Sequence, residues 1–157
     1  MNNKKIIITL SVLAILAVVL EIVLGSNIFG KKQNEKFKLE SKYYNVGEKI
    51  DVKDISDISN ESFLLFTYNS FCGMAKPCEE IFHNVLLKNK IDYVSMAIDD
   101  FKKTKFHETV KYAPSFLIIE KGEIVAYLDA NEDDDLKYYQ NEDDFENWLK
   151  KYILFSE

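Results

Sequence analysis

The chain has 157 residues, 47% of them hydrophobic, which is enough for one globular domain with its own core and a short appendage. Its formal net charge is −6 and every basic residue is a lysine. This acidic balance argues against binding of nucleic acid or anionic lipid, since both need a basic face. With only two cysteines, the chain has too few for a disulfide scaffold or a four-cysteine zinc site.

A long apolar stretch follows the short basic head of the chain. Residues 6–24 are apolar except for Thr9, Ser11 and Glu21, and a helix of that length spans about 29 Å, close to the thickness of the bilayer's hydrocarbon core. We expect residues 1–29 to form an uncleaved signal anchor. A cleaved signal peptide and a buried helix of the globular domain are the alternatives.

The anchor predicts a single-pass membrane protein whose globular domain lies outside the cytoplasm. Residues 30–38 are polar and basic, and are interpreted as a linker to a domain at 39–157. The outward orientation follows from the usual behaviour of N-terminal signals and from the cysteine pair, because disulfides persist in oxidising compartments.

The globular part alternates strands and helices. Its predicted elements are, in chain order, a short helix at 51–58, a buried strand at 62–67, an amphipathic helix at 78–89, a strand at 91–98, a weaker helix at 100–112, a strand at 113–120, a hairpin turn at 121–122, a strand at 123–128, an acidic loop at 129–140 and a helix capped by Asn141. From residue 62 onward the order is β-α-β-α-β-β-α. This order predicts an α/β fold with a central mixed sheet covered by helices on both faces.

Both cysteines lie in the turn between the buried strand and the amphipathic helix. Residues 71–78 read Phe-Cys-Gly-Met-Ala-Lys-Pro-Cys. This segment resembles the thioredoxin motif, aromatic-Cys-Gly-Pro-Cys, with three residues inserted. The only other proline, Pro114, opens the stretch 114–123, Pro-Ser-Phe-Leu-Ile-Ile-Glu-Lys-Gly-Glu, which is similar to the family's cis-proline, four apolar residues and glycine turn.

The resemblance covers about residues 50–155 and implies a thioredoxin-like fold and thiol-disulfide exchange. It implies that Cys72 is the exposed nucleophile and Cys78 the resolving thiol. It also implies that Phe71, Ala113 and Pro114 hold the extended backbone of a substrate. The expected partners are protein thiols or disulfides, without a cofactor. Because Cys-x5-Cys and the two histidines match no usual zinc spacing, no metal is expected.

Two features depart from the family pattern and leave an alternative open. Five residues separate the cysteines, where the family has two, and Phe66 stands at the position of the family's buried acid. The alternative is a redox-inactive accessory protein that docks a membrane secretion or transport partner, with Cys72 and Cys78 joined in a structural disulfide. The anchored domain with its acidic, tryptophan-containing end is also similar to bacteriocin transport accessory proteins of Gram-positive bacteria.

Overall fold

A computed structural model describes residues 35–69 and 75–155. One five-stranded mixed sheet has the order β1-β3-β2-β4-β5, in which β1 and β2 run parallel to β3 while β4 is antiparallel to both β2 and β5. The strands are β1 (Lys49–Asp51), β2 (Phe63–Tyr68), β3 (Tyr93–Ala97), β4 (Ser115–Glu120) and β5 (Glu123–Asp129). The predicted central mixed sheet is therefore confirmed.

Three α-helices and four short 3-10 helices connect and cover the strands in the described part of the chain. They are α1 (Ala75–Lys88), α2 (Ile98–Phe101), α3 (Glu142–Leu149) and the 3-10 helices Ser41–Tyr43, Ser56–Ile58, Lys105–Glu108 and Leu136–Tyr139. The predicted signal anchor lies outside the described residues. Within 35–69 and 75–155, no helix is both long and apolar enough to cross a bilayer.

The core lies on both faces of the sheet, with β2 at its centre. Residues 63–67 have no solvent exposure at all, which confirms the buried strand predicted from its unbroken apolar run. On one face the Phe66 ring lies 5.6 Å from that of Phe82 in α1. On the other face Phe63 lies 6.4 Å from Phe106, in the 3-10 helix Lys105–Glu108. Successive strand residues point to opposite faces, so both faces need a cover.

The helix predicted at 51–58 is wrong, because only the 3-10 turn Ser56–Ile58 forms there. The Asp54 side chain accepts a hydrogen bond from the Ser56 backbone N–H at 2.8 Å. Such a local bond offers the backbone an alternative to the helical pattern. The preceding residues pair instead with β3 as the three-residue edge strand β1, which is too short and too charged to be recognised from sequence.

The helix predicted at 100–112 is also wrong, since it is replaced by the single turn α2 and the separate 3-10 helix Lys105–Glu108. Thr104 ends α2, because its backbone N–H and its hydroxyl both donate to the Phe101 carbonyl, at 2.9 and 2.8 Å. The break lets Phe101, Phe106 and Val110 all reach the core, which a continuous helix would not allow at that spacing.

Both helix starts near the predicted site follow ordinary capping chemistry. Helix α1 begins at Ala75, three residues before the predicted start, with Pro77 in its first turn, where the missing N–H is not needed. Helix α3 begins as predicted after Asn141, whose side-chain oxygen accepts from the Asp144 N–H at 3.0 Å.

Candidate functional site

The site lies at the edge of the sheet where β2 ends and β4 begins. Parallel β2 and β3 both end at this edge, and antiparallel β4 starts there, with Ser115 paired to Thr67. Helix α1 begins just after β2. The topology therefore brings the start of α1 next to the residues that precede β4.

Cys78 occupies the first turn of α1, where the sequence placed it. Its side chain is 2% exposed and belongs to the hydrophobic core. One turn further along the helix lies Phe82, which is fully buried. The thiol is therefore shielded from bulk solvent, as expected of a resolving cysteine rather than of the attacking one.

Pro114 follows a cis peptide bond with Ala113, as the resemblance predicted. Pro114 is buried and Ala113 is half-buried, directly before the buried strand β4. The neighbouring Tyr112 is 57% exposed. A solvent-exposed aromatic ring thus lies beside the cis bond, at the same edge of the sheet as the start of α1.

Tyr139 joins the cis-proline to α1 at Phe82, one turn beyond Cys78, and sequence reasoning missed it. Its hydroxyl donates a hydrogen bond to the Pro114 carbonyl at 3.1 Å, and its ring lies 5.4 Å from that of Phe82. Burial raises the pKa of Tyr139 above its ordinary value, and the nearby charge of a Cys78 thiolate raises it further. The phenol therefore keeps its proton and remains a donor beside Cys78.

The signal for Tyr139 in the sequence was weak. It lies at the end of the acidic loop, in the 3-10 helix Leu136–Tyr139, next to a second tyrosine. The loop folds inward because the Asp135 carboxylate accepts from the Asp129 N–H at 3.0 Å. Two adjacent aromatic residues in an otherwise acidic segment were the only indication that part of it is buried, since Tyr139 is 2% exposed.

The surroundings of Phe66 and Glu79 bear on the chemistry of the Cys78 thiol. Phe66, at the position of the family's buried acid, is fully buried against Phe82, so that position supplies no proton acceptor. Glu79 accepts a hydrogen bond from the Lys49 ammonium at 2.8 Å. Its charge is thereby largely balanced, so it does little to oppose formation of a Cys78 thiolate.

The other predicted site residues, Cys72 and Phe71, lie outside the described residues. The structure thus brings Cys78, Ala113 and Pro114 to one edge, with Tyr139 between Cys78 and Pro114. Within residues 35–69 and 75–155, no three His, Cys, Asp or Glu side chains converge closely enough to hold a metal ion.

Three solved structures with a similar fold are thioredoxins. A mutant thioredoxin from Halobacterium salinarum has a TM-score of 0.53 at 17% identity, covering 72% of this chain and 97% of its own. Thioredoxin h from Nicotiana alata has a TM-score of 0.51 at 16% identity, over 68% of this chain and 94% of its own. Spinach chloroplast thioredoxin f has a TM-score of 0.51 at 14% identity, over 74% of this chain and 98% of its own. No protein-family model and no curated protein matches the sequence.

Proposed function

Since the chain has a thioredoxin-like fold, we propose that it is a thiol-disulfide oxidoreductase that uses the atypical Cys-x5-Cys pair, Cys72 and Cys78. The observation that carries this proposal is the placement of Cys78. It is shielded in the first turn of α1, and Tyr139 packs on Phe82 one turn further along the helix while its hydroxyl holds the Pro114 carbonyl.

The reaction proceeds by two exchanges. The Cys72 thiolate attacks one sulfur of a substrate disulfide, forming a mixed disulfide and releasing the other substrate sulfur as a thiolate. The Cys78 thiol gives its proton to the substrate thiolate released in the first exchange and attacks the Cys72 sulfur, which releases the second substrate sulfur as a thiolate. Two electrons pass to the substrate, and the protein is left with a Cys72–Cys78 disulfide. The reverse sequence oxidises a dithiol substrate.

We expect the substrate chain to lie along Ala113 and Pro114, and the resemblance adds Phe71 to the residues that hold it. An extended peptide there binds through main-chain hydrogen bonds, as in other cases of strand addition. The Pro114 carbonyl already accepts a hydrogen bond from Tyr139. We therefore expect the backbone groups of Ala113 to make the hydrogen bonds with the substrate. With Phe66 buried at the acid position, we expect exchange slower than in an ordinary thioredoxin, because proton removal from Cys78 lacks an adjacent carboxylate.

The test is a pair of single-cysteine variants in the full-length chain. Cys78→Ser is expected to accumulate mixed disulfides through Cys72, because the second exchange cannot occur. Cys72→Ser is expected to accumulate none, since the remaining thiol is shielded. The adducts are counted on non-reducing gels after alkylation of free thiols. Equal trapping by both variants, or trapping by neither, would contradict the proposal.

Burial of Phe66 favours a second candidate, a redox-inactive accessory protein that docks a secretion or transport partner through the same edge. In that case the cysteines form a structural disulfide, whose closure of a short loop contributes about 2–3 kcal/mol. Neither variant would then trap a partner, and the wild-type disulfide would resist reduction until the domain unfolds.

We further propose that residues 1–29 anchor the protein in the membrane with the domain outside the cytoplasm. The support is the apolar length of residues 6–24 and the cysteine pair. Protease added to intact cells is expected to remove the domain, together with a known external protein used as a positive control. Survival of the domain while that control protein is digested would place it on the other side.

A further inference from the structure

A cleft beside α1 is lined by two residues that each carry a buried polar atom without a partner in the described part of the chain. The Tyr93 hydroxyl, on a residue with no solvent exposure, and Nδ1 of His83 find no hydrogen-bond partner among the described residues. The two rings lie 6.2 Å apart. Buried polar groups normally have partners, and each one without a partner costs about 1–3 kcal/mol. Both residues line the same cleft, so a polar ligand bound there would supply the partners that these two atoms lack among the described residues.

We name this cleft the Tyr93 cleft. Its volume is about 380 Å³, and it is lined by Lys49, Glu79, Glu80, His83 and Tyr93. This is at the lower end of the range for small-molecule sites. It suits one side chain or a molecule of similar size, and it is too small for a nucleotide or a folded segment.

The charges at the Tyr93 cleft favour a cation. Its one ammonium group, on Lys49, is already engaged by Glu79 at 2.8 Å and by Asp51 at 3.6 Å. Glu80 adds a third carboxylate. Burial, and then the charges of Glu79 and Asp51, raise the pKa of Tyr93 above its ordinary value, so the phenol stays neutral. The carboxylates outnumber the ammonium, and an anion would be repelled.

The hydrogen-bonding chemistry of the Tyr93 hydroxyl and of His83 Nδ1 further limits the class of ligand. A phenol oxygen accepts hydrogen bonds, and so does Nδ1 of an imidazole protonated on Nε2. A carboxylate oxygen of Glu79 or Glu80 supplies a third acceptor. Three acceptors around one cleft match the three N–H donors of a primary ammonium group. A metal ion fits less well, because no three His, Cys, Asp or Glu side chains in the described ranges converge.

We propose that the Tyr93 cleft binds a primary alkylammonium group. The group comes either from a lysine side chain of a partner protein or from a free alkylamine, since both present the same –CH2–NH3+ end. The ammonium donates to Tyr93, His83 and a glutamate, and its alkyl chain lies along the apolar part of the cleft. Amine binding does not involve the thiols, so this proposal can be tested independently of the proposed exchange reaction.

The experiment titrates the full-length chain, solubilised in non-ionic detergent, with n-butylammonium and with Nα-acetyl-lysine amide. NMR amide shifts report binding, with n-butanol and butyrate as neutral and anionic controls. Binding of either amine about tenfold more tightly than n-butanol is expected from a charged hydrogen bond. Binding of both amines points to a protein lysine, and binding of n-butylammonium alone points to a free amine. Preference for butyrate, or no saturable amine binding, overturns the proposal.

Three substitutions test the assignment within the cleft. Tyr93→Phe and His83→Leu should each weaken amine binding about tenfold, through loss of an acceptor. Lys49→Met should strengthen it several-fold, because Glu79 is released from its ion pair. The matched control is Lys42→Met, which removes a similar ion pair outside the cleft, where Lys42 lies 2.7 Å from Glu61. This substitution should leave amine binding unchanged. Weaker amine binding in Lys49→Met would overturn the proposal.

One further measurement separates lost binding from lost folding. The Tyr93 hydroxyl has no partner among the described residues, so Tyr93→Phe should leave the thermal midpoint of the amine-free protein unchanged or raise it. In the wild type, saturating n-butylammonium should raise that midpoint, since a ligand that binds only the folded state stabilises it. An equal rise in Tyr93→Phe would show that the amine binds elsewhere.

Discussion

Replacement of Phe82 by alanine is expected to lower the free energy of unfolding by about 3–5 kcal/mol. The ring is fully buried in α1, and four other aromatic rings lie around it at centroid distances of 4.4 to 5.6 Å. These rings belong to Phe66, Phe116, Tyr139 and Phe145. The side chains come from β2, β4, the 3-10 helix Leu136–Tyr139 and α3, so removing the ring opens a cavity that no single element can close.

The measurement is equilibrium unfolding in urea, followed by the fluorescence of Trp148, which stacks on Phe145 at 6.0 Å. Leu87→Ala is the matched control, because Leu87 lies on the same helix and is 51% exposed. Its stability should stay within about 0.5 kcal/mol of wild type. A loss below about 1 kcal/mol in Phe82→Ala would mean that the aromatic cluster is not the centre of the core.

The same substitution should also disturb the candidate site. Phe82 lies one turn beyond Cys78 and supports the ring of Tyr139, whose hydroxyl holds the Pro114 carbonyl. We therefore expect the Cys78 thiol to become more accessible to alkylating reagents under native conditions in Phe82→Ala, because its cover loosens.

Asp92→Ala is expected to lower the free energy of unfolding by about 3–5 kcal/mol. Each hydrogen bond to a charged group contributes about 1.5–3 kcal/mol, and water partly replaces the bonds that are lost. The carboxylate is buried, with 4% exposure. One of its oxygens accepts from the backbone N–H groups of Val46, Gly47 and Glu48 at 3.2, 2.8 and 2.7 Å. Without it, these three donors lose their partner together.

Urea unfolding again provides the measurement, with Asp57→Ala as the control. Asp57 is an exposed acid in the 3-10 helix Ser56–Ile58 and should change stability by no more than about 0.5 kcal/mol. The stability of Asp92→Asn should lie between those of Asp92→Ala and Asp57→Ala, since the asparagine amide oxygen can still accept the backbone hydrogen bonds. Equal stabilities for Asp92→Ala and Asp57→Ala would show that the loop at 45–48 does not depend on the carboxylate.

The loop that wraps Asp92 also depends on a glycine. Gly47 has φ of +82°, and a Cβ at this position would lie 2.3 Å from the Cα of Leu87. Any larger residue would meet the backbone of α1 rather than a movable side chain. The close approach explains why the chain before β1 can lie directly against the end of α1.

Local chemistry in the sequence determined the elements on which the site is built. The unbroken apolar run of β2, the stripe of α1 and the cap at Asn141 each predict their own element, because burial, helical period and capping depend on neighbours in the chain. The cis bond before Pro114 and the place of Cys78 in the first turn of α1 were predicted from the resemblance of two short motifs. The sequence predictions for Cys72, Phe71 and residues 1–29 lie outside the described residues and stay predictions.

Contacts between residues far apart in the chain were decided only by the tertiary structure. Tyr139 meets Pro114 across 25 positions, and Asp92 caps a loop more than 40 positions earlier. The Tyr93 cleft combines residues of β1, α1 and β3. No periodicity or local spacing encodes such pairs, since their partners become neighbours only when strands pair and α1 covers the sheet. The sequence therefore determined the fold and the position of the second cysteine, and the tertiary structure decided which side chains surround it.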